Sequence, residues 1–238
     1  MIEFFLNAYK NATVFQIVIE FLAFVFGILS VWFAKKENIW VYPTGLLATV
    51  LTSYLLYTAG YLGDMLVNAY FSVMSVYGWY NWSKKDNNGT NLAITRINSK
   101  EKIIGIVLFF ITIFVVFGIY KYFDYELKIE NYIDIFASGI FFTAMWYMAK
   151  KKIENWTLWI FGDIIVVPLY AYRGLGMLAL QYLIFTILAI AAYLEWKKIL
   201  NNNIHQYLSK RINRICVFLP LYLELDRKNY TLFPKKLL

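Results

Sequence analysis

The chain has 238 residues, of which 61% are hydrophobic, 20% aromatic and only 16% charged; the formal net charge is +8 and the mean hydropathy +0.54. Soluble domains carry about 25% charged and about 45–50% apolar residues, so this composition leaves almost no room for a soluble enzyme and none for intrinsic disorder. One cysteine (Cys216) and one histidine (His205) allow neither an internal disulfide nor a Cys/His zinc cage, and the basic residues fall in short clusters between apolar runs, as in the loops of a polytopic membrane protein.

A helix crosses a bilayer with about 20 largely apolar residues. That ruler predicts seven spans, over residues 14–34, 40–58, 62–82, 103–120, 132–149, 156–172 and 174–196. The second and sixth are the least uniform, because they hold Pro43 and Pro168 together with polar groups. Residues 1–13 do not read as a cleaved signal, since Glu3 precedes the apolar run and no small-residue cleavage site follows it.

Lys and Arg accumulate after spans one, three, five and seven: Lys35 and Lys36; Lys84, Lys85, Arg96, Lys100 and Lys102; Lys150, Lys151 and Lys152; Lys197 and Lys198. The opposite loops hold only Lys10, Lys121, Lys128 and Arg173. The bias places residues 1–13 outside the cell, and the loop 83–102 and the basic tail 197–238 in the cytoplasm.

The chain resembles itself at a shift of about 117 residues, which aligns Glu37-Asn38 with Glu154-Asn155, Gly45 with Gly162 and Trp79 with Trp196. Two three-helix units result, 14–82 and 132–196. Because each has an odd number of spans, the extra helix 103–120 between them restores their orientation and makes them parallel repeats, a known transporter architecture. The expected fold is therefore an all-α membrane protein with seven transmembrane helices in a 3+1+3 arrangement.

Three segments carry a specific resemblance: Glu37-Asn38-Ile39-Trp40 entering span two, Tyr77-Gly78-Trp79-Tyr80-Asn81-Trp82 closing span three, and Glu154-Asn155-Trp156-x-x-Trp159 opening span six. Residues 14–198 thereby resemble the PnuC family of bacterial vitamin transporters. The resemblance implies a fold similar to the SWEET sugar transporters, a homotrimer in the cytoplasmic (inner) membrane, and passive uptake of nicotinamide riboside for NAD biosynthesis, with no cofactor and no nucleic-acid partner. Thiamine, another ring-bearing cation, and a sugar remain open as alternative cargo.

Nicotinamide riboside has a cationic pyridinium, a carboxamide and ribose hydroxyls. Ionisable groups inside spans cost about 2.5–3.5 kcal/mol to insert and are functional candidates by default. Asp163 lies one helical turn from Trp159, and Asp64 one turn from Asn68. An indole face attracts a cation by about 0.5–2 kcal/mol. The candidate substrate-binding residues are accordingly Trp159, Asp163, Trp156, Asn155, Gln181, Asp64, Asn68, Tyr61 and Tyr182. Each also has a plainer reading: Asp64 as a helix cap, Trp156 as an interfacial anchor, Asp163 as a polar clamp between helices. Tyr54, Tyr57, Tyr70 and Phe71 offer further aromatic walls, and Glu20 reads as a snorkelling or paired acid.

No basic residue lies deep in a span, which disfavours a phosphorylated cargo, and no ATP-binding loop is present. His205 and Cys216 lie outside the spans, so an intramembrane enzyme lacks a nucleophile with its base.

Overall fold

The structure is a computed structural model. It describes all residues except 1–12, 59–61, 86–88, 90, 123–126, 174–175 and 231–238, and at helix positions 62–64, 204 and 206–230 the backbone alone. The described residues form seven helices: α1 Val14–Lys35, α2 Val41–Thr58, α3 Leu62–Ser83, α4 Ser99–Tyr122, α5 Ile129–Ala149, α6 Glu154–Tyr172 and α7 Gly176–Tyr230. Each predicted span lies on its own helix. α7 is longer than its span and continues through most of the tail; its portion beyond Lys197 belongs to a second compact unit, Lys198–Leu238.

Among the described residues four helices are long and apolar enough to cross a membrane: α1, α4, α5 and the Gly176–Asn203 part of α7. The other three are the polar ones. α2 is rich in Thr and Ser whose hydroxyls bond back into the helix, as Thr52 does to the Ala48 carbonyl at 2.8 Å and Ser53 to the Thr49 carbonyl at 2.8 Å. α3 adds Asn68, Ser72 and Ser75, and α6 adds Asn155 and Asp163.

α1 packs on α2, α2 on α3, α4 on α5, α5 on α6, and α3 on α5. α5 is the most deeply buried helix, from Ile135 through Ala149. α4 has the opposite character, with Ile103, Ile106, Phe110, Phe114 and Val115 exposed, as befits lipid contact.

The first turn of α1 is held by a capping box. The Thr13 side chain accepts from the Gln16 amide, and the Gln16 side chain accepts from the Thr13 amide at 2.9 Å. Its other end closes in a Schellman turn: the Asn38 amide donates to the Phe33 carbonyl (2.9 Å), and the Glu37 amide donates to the Ala34 carbonyl (3.1 Å). α5 ends identically, with the Lys152 amide on the Tyr147 carbonyl (2.9 Å) and the Lys151 amide on the Met148 carbonyl (2.9 Å). The residues that turn each corner, Glu37 (φ 53°) and Lys151 (φ 51°), are not glycine, so each corner costs about 1 kcal/mol or more.

These two corners meet. Lys151, almost fully buried, extends its ammonium to 3.2 Å from the Glu37 carboxylate and 4.4 Å from the Trp82 ring centre. Glu37 and Lys151 are 114 residues apart, and the same interval links every other landmark. The Trp82 indole N–H donates to the Met148 carbonyl (3.2 Å), and the Trp196 indole N–H donates to the Ala34 carbonyl (3.0 Å). Tyr42 stands edge-on to Trp82 at 5.1 Å, as Trp156 does to Trp196 at 5.4 Å. The ends of α2 and α6 and the starts of α3 and α7 follow the same spacing.

The register of about 117 is therefore corrected to 114. Glu37-Asn38 and Glu154-Asn155 are not equivalent, and the partner of Trp196 is Trp82 rather than Trp79. Gln181 falls opposite Val67 in this register. Short dipeptide matches misplace the alignment, whereas a corner in left-handed backbone can occupy a single register.

Candidate functional site

α6 positions the principal candidates. Its interior face runs Asn155, Trp156, Trp159, Gly162, Asp163, Val166, Leu169 and Tyr170, an i, i+3, i+4 stripe that meets α5. The two helices approach closely because position 162 lacks a side chain: a Cβ there would lie 2.9 Å from Cδ1 and Cζ of Phe141.

Around this contact sits an aromatic cage. Phe141 and Val166 are buried at its centre, packed by Phe71, Trp159, Tyr170 and Tyr182 from α3, α6 and α7. Phe141 stacks on Trp159 (5.4 Å, 26°) and on Tyr182 (6.1 Å, 23°), while Tyr182 stacks on Tyr170 (5.2 Å, 29°). Phe71 leans on Trp159 at 6.0 Å, and beside it Tyr70 stacks on Phe142 at 3.7 Å.

On the same face of α6, one turn from Trp159, lies Asp163. It is 2% exposed, and its Oδ1 has no hydrogen-bond partner. A buried carboxylate oxygen without a donor costs at least 1–3 kcal/mol, roughly. Among the described residues the ion pairs lie elsewhere, near helix ends: Lys151 with Glu37, Lys152 with Glu101, and Arg173 with Asp134.

Asn155 and Trp156 are also fully buried, but they sit at the start of α6, two turns from Asp163. There Trp156 packs on Trp196, and the Asn155 side-chain Nδ2 donates to the Lys152 carbonyl at 2.6 Å. The Asn155 Oδ1 and Trp156 Nε1 have no partner, and neither does the buried Tyr42 hydroxyl. Gln181 lies on α7 near Gly27 of α1, where a Cβ would come within 3.6 Å of its Nε2. Asn68 is half-buried on α3, and its carbonyl accepts from the Ser72 hydroxyl at 3.1 Å. Tyr61 lies outside the described residues, as does the side chain of Asp64. Tyr54 and Tyr57 point outward from α2, and Glu20 lies on an exposed face of α1.

The structure thus joins Trp159, Asp163 and Tyr182 in one place and seats Asn155 and Trp156 two turns away. Sequence reading named nothing on α5, which supplies the central ring, Phe141. Phe-Phe pairs are common in apolar helices, so only the Gly162 that accommodates Phe141 hinted at it. Among the described residues no group of three His, Cys, Asp or Glu side chains could hold a metal ion.

A helical membrane protein with a buried carboxylate one turn from a cluster of stacked rings has the layout of a small-molecule carrier, and comparison with known proteins gives that class a family. The model of the family described as nicotinamide mononucleotide transporter matches residues 17–198, so the chain belongs to that family. The chain is 25% identical over 202 residues to the nicotinamide riboside transporter PnuC of Escherichia coli (strain K12), covering 75% of this chain and 84% of that one. It is 21% identical over 178 residues to the riboflavin/roseoflavin transporter RibM of Streptomyces davaonensis, covering 72% and 81%. Its fold matches a crystal structure of the vitamin B3 transporter PnuC with a TM-score of 0.65 at 21% identity, over 84% of this chain and 88% of that one.

Proposed function

We propose that this protein carries nicotinamide riboside into the cell by facilitated diffusion. The observation that carries the assignment is Asp163, an unpartnered buried carboxylate one turn from an indole and beside a cage of stacked rings. Such a site is incomplete without a cation. A pyridinium supplies both a positive charge for Asp163 and a flat face for Trp159 and Tyr182. Asn68 and Gln181 are the candidates for the carboxamide and ribose hydroxyls. Asn155 and Trp156, with their unpartnered polar atoms, provide a second group of contacts along the path, and Asp64 and Tyr61 stay candidates on their sequence alone. A mononucleotide would bring a phosphate towards Asp163, which none of the described Lys or Arg side chains pairs with, so the dephosphorylated vitamin is the better fit.

The helices divide as 3+1+3, with α1–α3 (14–82) and α5–α7 (132–196) as parallel repeats and α4 (103–120) as the linker. Supporting this reading, the chain ends that follow α1, α3 and α5 touch one another, and the Trp196 end of α7 joins them. Thr95 of the loop 83–102 pairs with the α5–α6 corner, its amide donating to the Lys151 carbonyl at 3.1 Å. The excess of Lys and Arg at these ends makes this side cytoplasmic, with residues 1–13 outside and the tail 197–238 inside, in the bacterial inner membrane. The working unit is a homotrimer.

Transport follows from rocking of the two repeats around the midplane site. Each repeat lends a tryptophan to the other's helix end, so opening the cytoplasmic mouth requires the Trp82 and Trp196 bonds to part. The protein performs no bond chemistry; net uptake comes from cytosolic phosphorylation, which converts the cargo to a form the site rejects. The test is uptake of labelled nicotinamide riboside by proteoliposomes. Uptake is expected to follow the cargo gradient alone and to resist competition by the mononucleotide. Dependence on a pH or sodium gradient would overturn the uniport mechanism, and equal competition by the mononucleotide would overturn the cargo assignment.

A further inference from the structure

Phe141 stands on α5, a helix that supplies none of the cargo contacts proposed above, yet its ring fills the space between two of them. It lies within 30° of parallel to Trp159 on one neighbour and to Tyr182 on another, at 5.4 and 6.1 Å, so the indole and phenol faces on which a flat cargo would stack are already covered by a phenyl ring. The α6 backbone closes a further direction, since even a methyl group at Gly162 would press on Phe141 at 2.9 Å. A flat cargo ring reaches Trp159 only when Phe141 turns aside, and the room thus released is that of one six-membered ring.

Resting on the cargo site proposed above, we infer that Phe141 is the specificity-determining residue for ring size. It acts as a plug that a monocyclic heterocycle replaces one for one and that a fused tricyclic system cannot displace far enough. Among similar chains one is named for nicotinamide riboside, whose ring is monocyclic, and another for riboflavin, whose isoalloxazine is tricyclic, so this is a property on which related carriers differ.

The purified full-length protein in detergent is titrated with nicotinamide riboside and with riboflavin, and the ratio of the two affinities is compared across Phe141→Ala, Phe141→Leu and Gly162→Ala. The wild-type protein is expected to prefer nicotinamide riboside by at least tenfold. Phe141→Ala should move the ratio towards riboflavin by tenfold or more and Phe141→Leu by a smaller factor. Gly162→Ala, which forces the phenyl ring into the slot, should weaken both ligands. A general packing defect would weaken both ligands in every variant and leave the ratio alone. A ratio within threefold of wild type in Phe141→Ala, or an unchanged ratio in Phe141→Leu where the alanine variant does not fold, overturns the inference while the cargo reading stands. A wild-type protein that binds riboflavin as well as nicotinamide riboside also overturns it. If the wild type binds neither ring, the cargo reading has failed and this inference fails with it.

Discussion

Replacing Trp196 by phenylalanine isolates one of the hydrogen bonds that join residues 14–82 to residues 132–196. The change keeps a buried ring and removes the N–H that reaches the Ala34 carbonyl at 3.0 Å. Hydrogen bonds between membrane helices average about 0.6 kcal/mol and reach about 1.7. The lower figure applies here, because the Ala34 carbonyl keeps its bond from the Glu37 amide at 3.1 Å and is not left orphaned. Loss of the second indole ring leaves a void against Trp156 and Trp82, worth about 1–2 kcal/mol as a fraction of the about 3–5 that a full truncation costs. The total is about 2 kcal/mol, a factor of roughly 30 in the folding equilibrium. Reversible unfolding in mixed micelles, followed by tryptophan fluorescence and by a second probe, measures it. Trp82→Phe should cost a similar amount, since the Met148 carbonyl likewise keeps the Lys151 amide at 2.9 Å. The double variant should depart from additivity, because the two rings lie 6.1 Å apart. Single variants within about 0.5 kcal/mol of wild type, the range of an ordinary surface change, would refute the clasp.

Asp163→Asn should weaken nicotinamide riboside at least tenfold while leaving the empty protein as stable as wild type or more so, since a buried unpartnered carboxylate is a burden without its cation; thermal melting with and without ligand checks both halves, and unchanged affinity would contradict the charge argument. Reversing either member of the Lys151–Glu37 pair alone should cost about 2–3 kcal/mol, and the double reversal should recover most but not all of it, because the new lysine no longer lies over Trp82. A double-mutant cycle with no coupling would show the pair to be incidental. Gly78→Ala should destabilise by about 1–3 kcal/mol, as its Cβ would lie 2.6 Å from the Tyr42 hydroxyl on the neighbouring helix; Gly118→Ala, which meets nothing, serves as the control and should be neutral or better.

How much of this was legible beforehand varies by residue. Apolar length located all seven helices, and the alternation of Lys-rich loops identified the chain ends that the structure brings together through Glu37, Lys151 and Thr95. Trp159, Asp163 and Tyr182 stand out in the sequence as candidates because a carboxylate and rings inside a span are costly or unusual enough to need a reason. Phe141 was not, since one phenylalanine among twenty looks like any other until its neighbours are known. Lys151 was counted as a loop charge, yet it is buried, because a corner in left-handed backbone turns it inward against Glu37 and Trp82. The repeat was visible but misregistered by three residues: the equivalent pair Glu37 and Lys151 carry opposite charges, so no comparison of residue types would align them.

Composition and spacing alone thus determine that this chain is a multi-pass helical membrane protein and where its apolar helices lie. These follow from the cost of placing each side chain in hydrocarbon, which is paid residue by residue and needs no knowledge of neighbours. Which rings face one another, which carboxylate stays without a partner, and which tryptophan clasps which helix end depend on contacts between different helices, at separations as large as the 162 residues between Trp196 and Ala34. Those pairings are set by the fit of helices against each other, and only the folded chain brings them together.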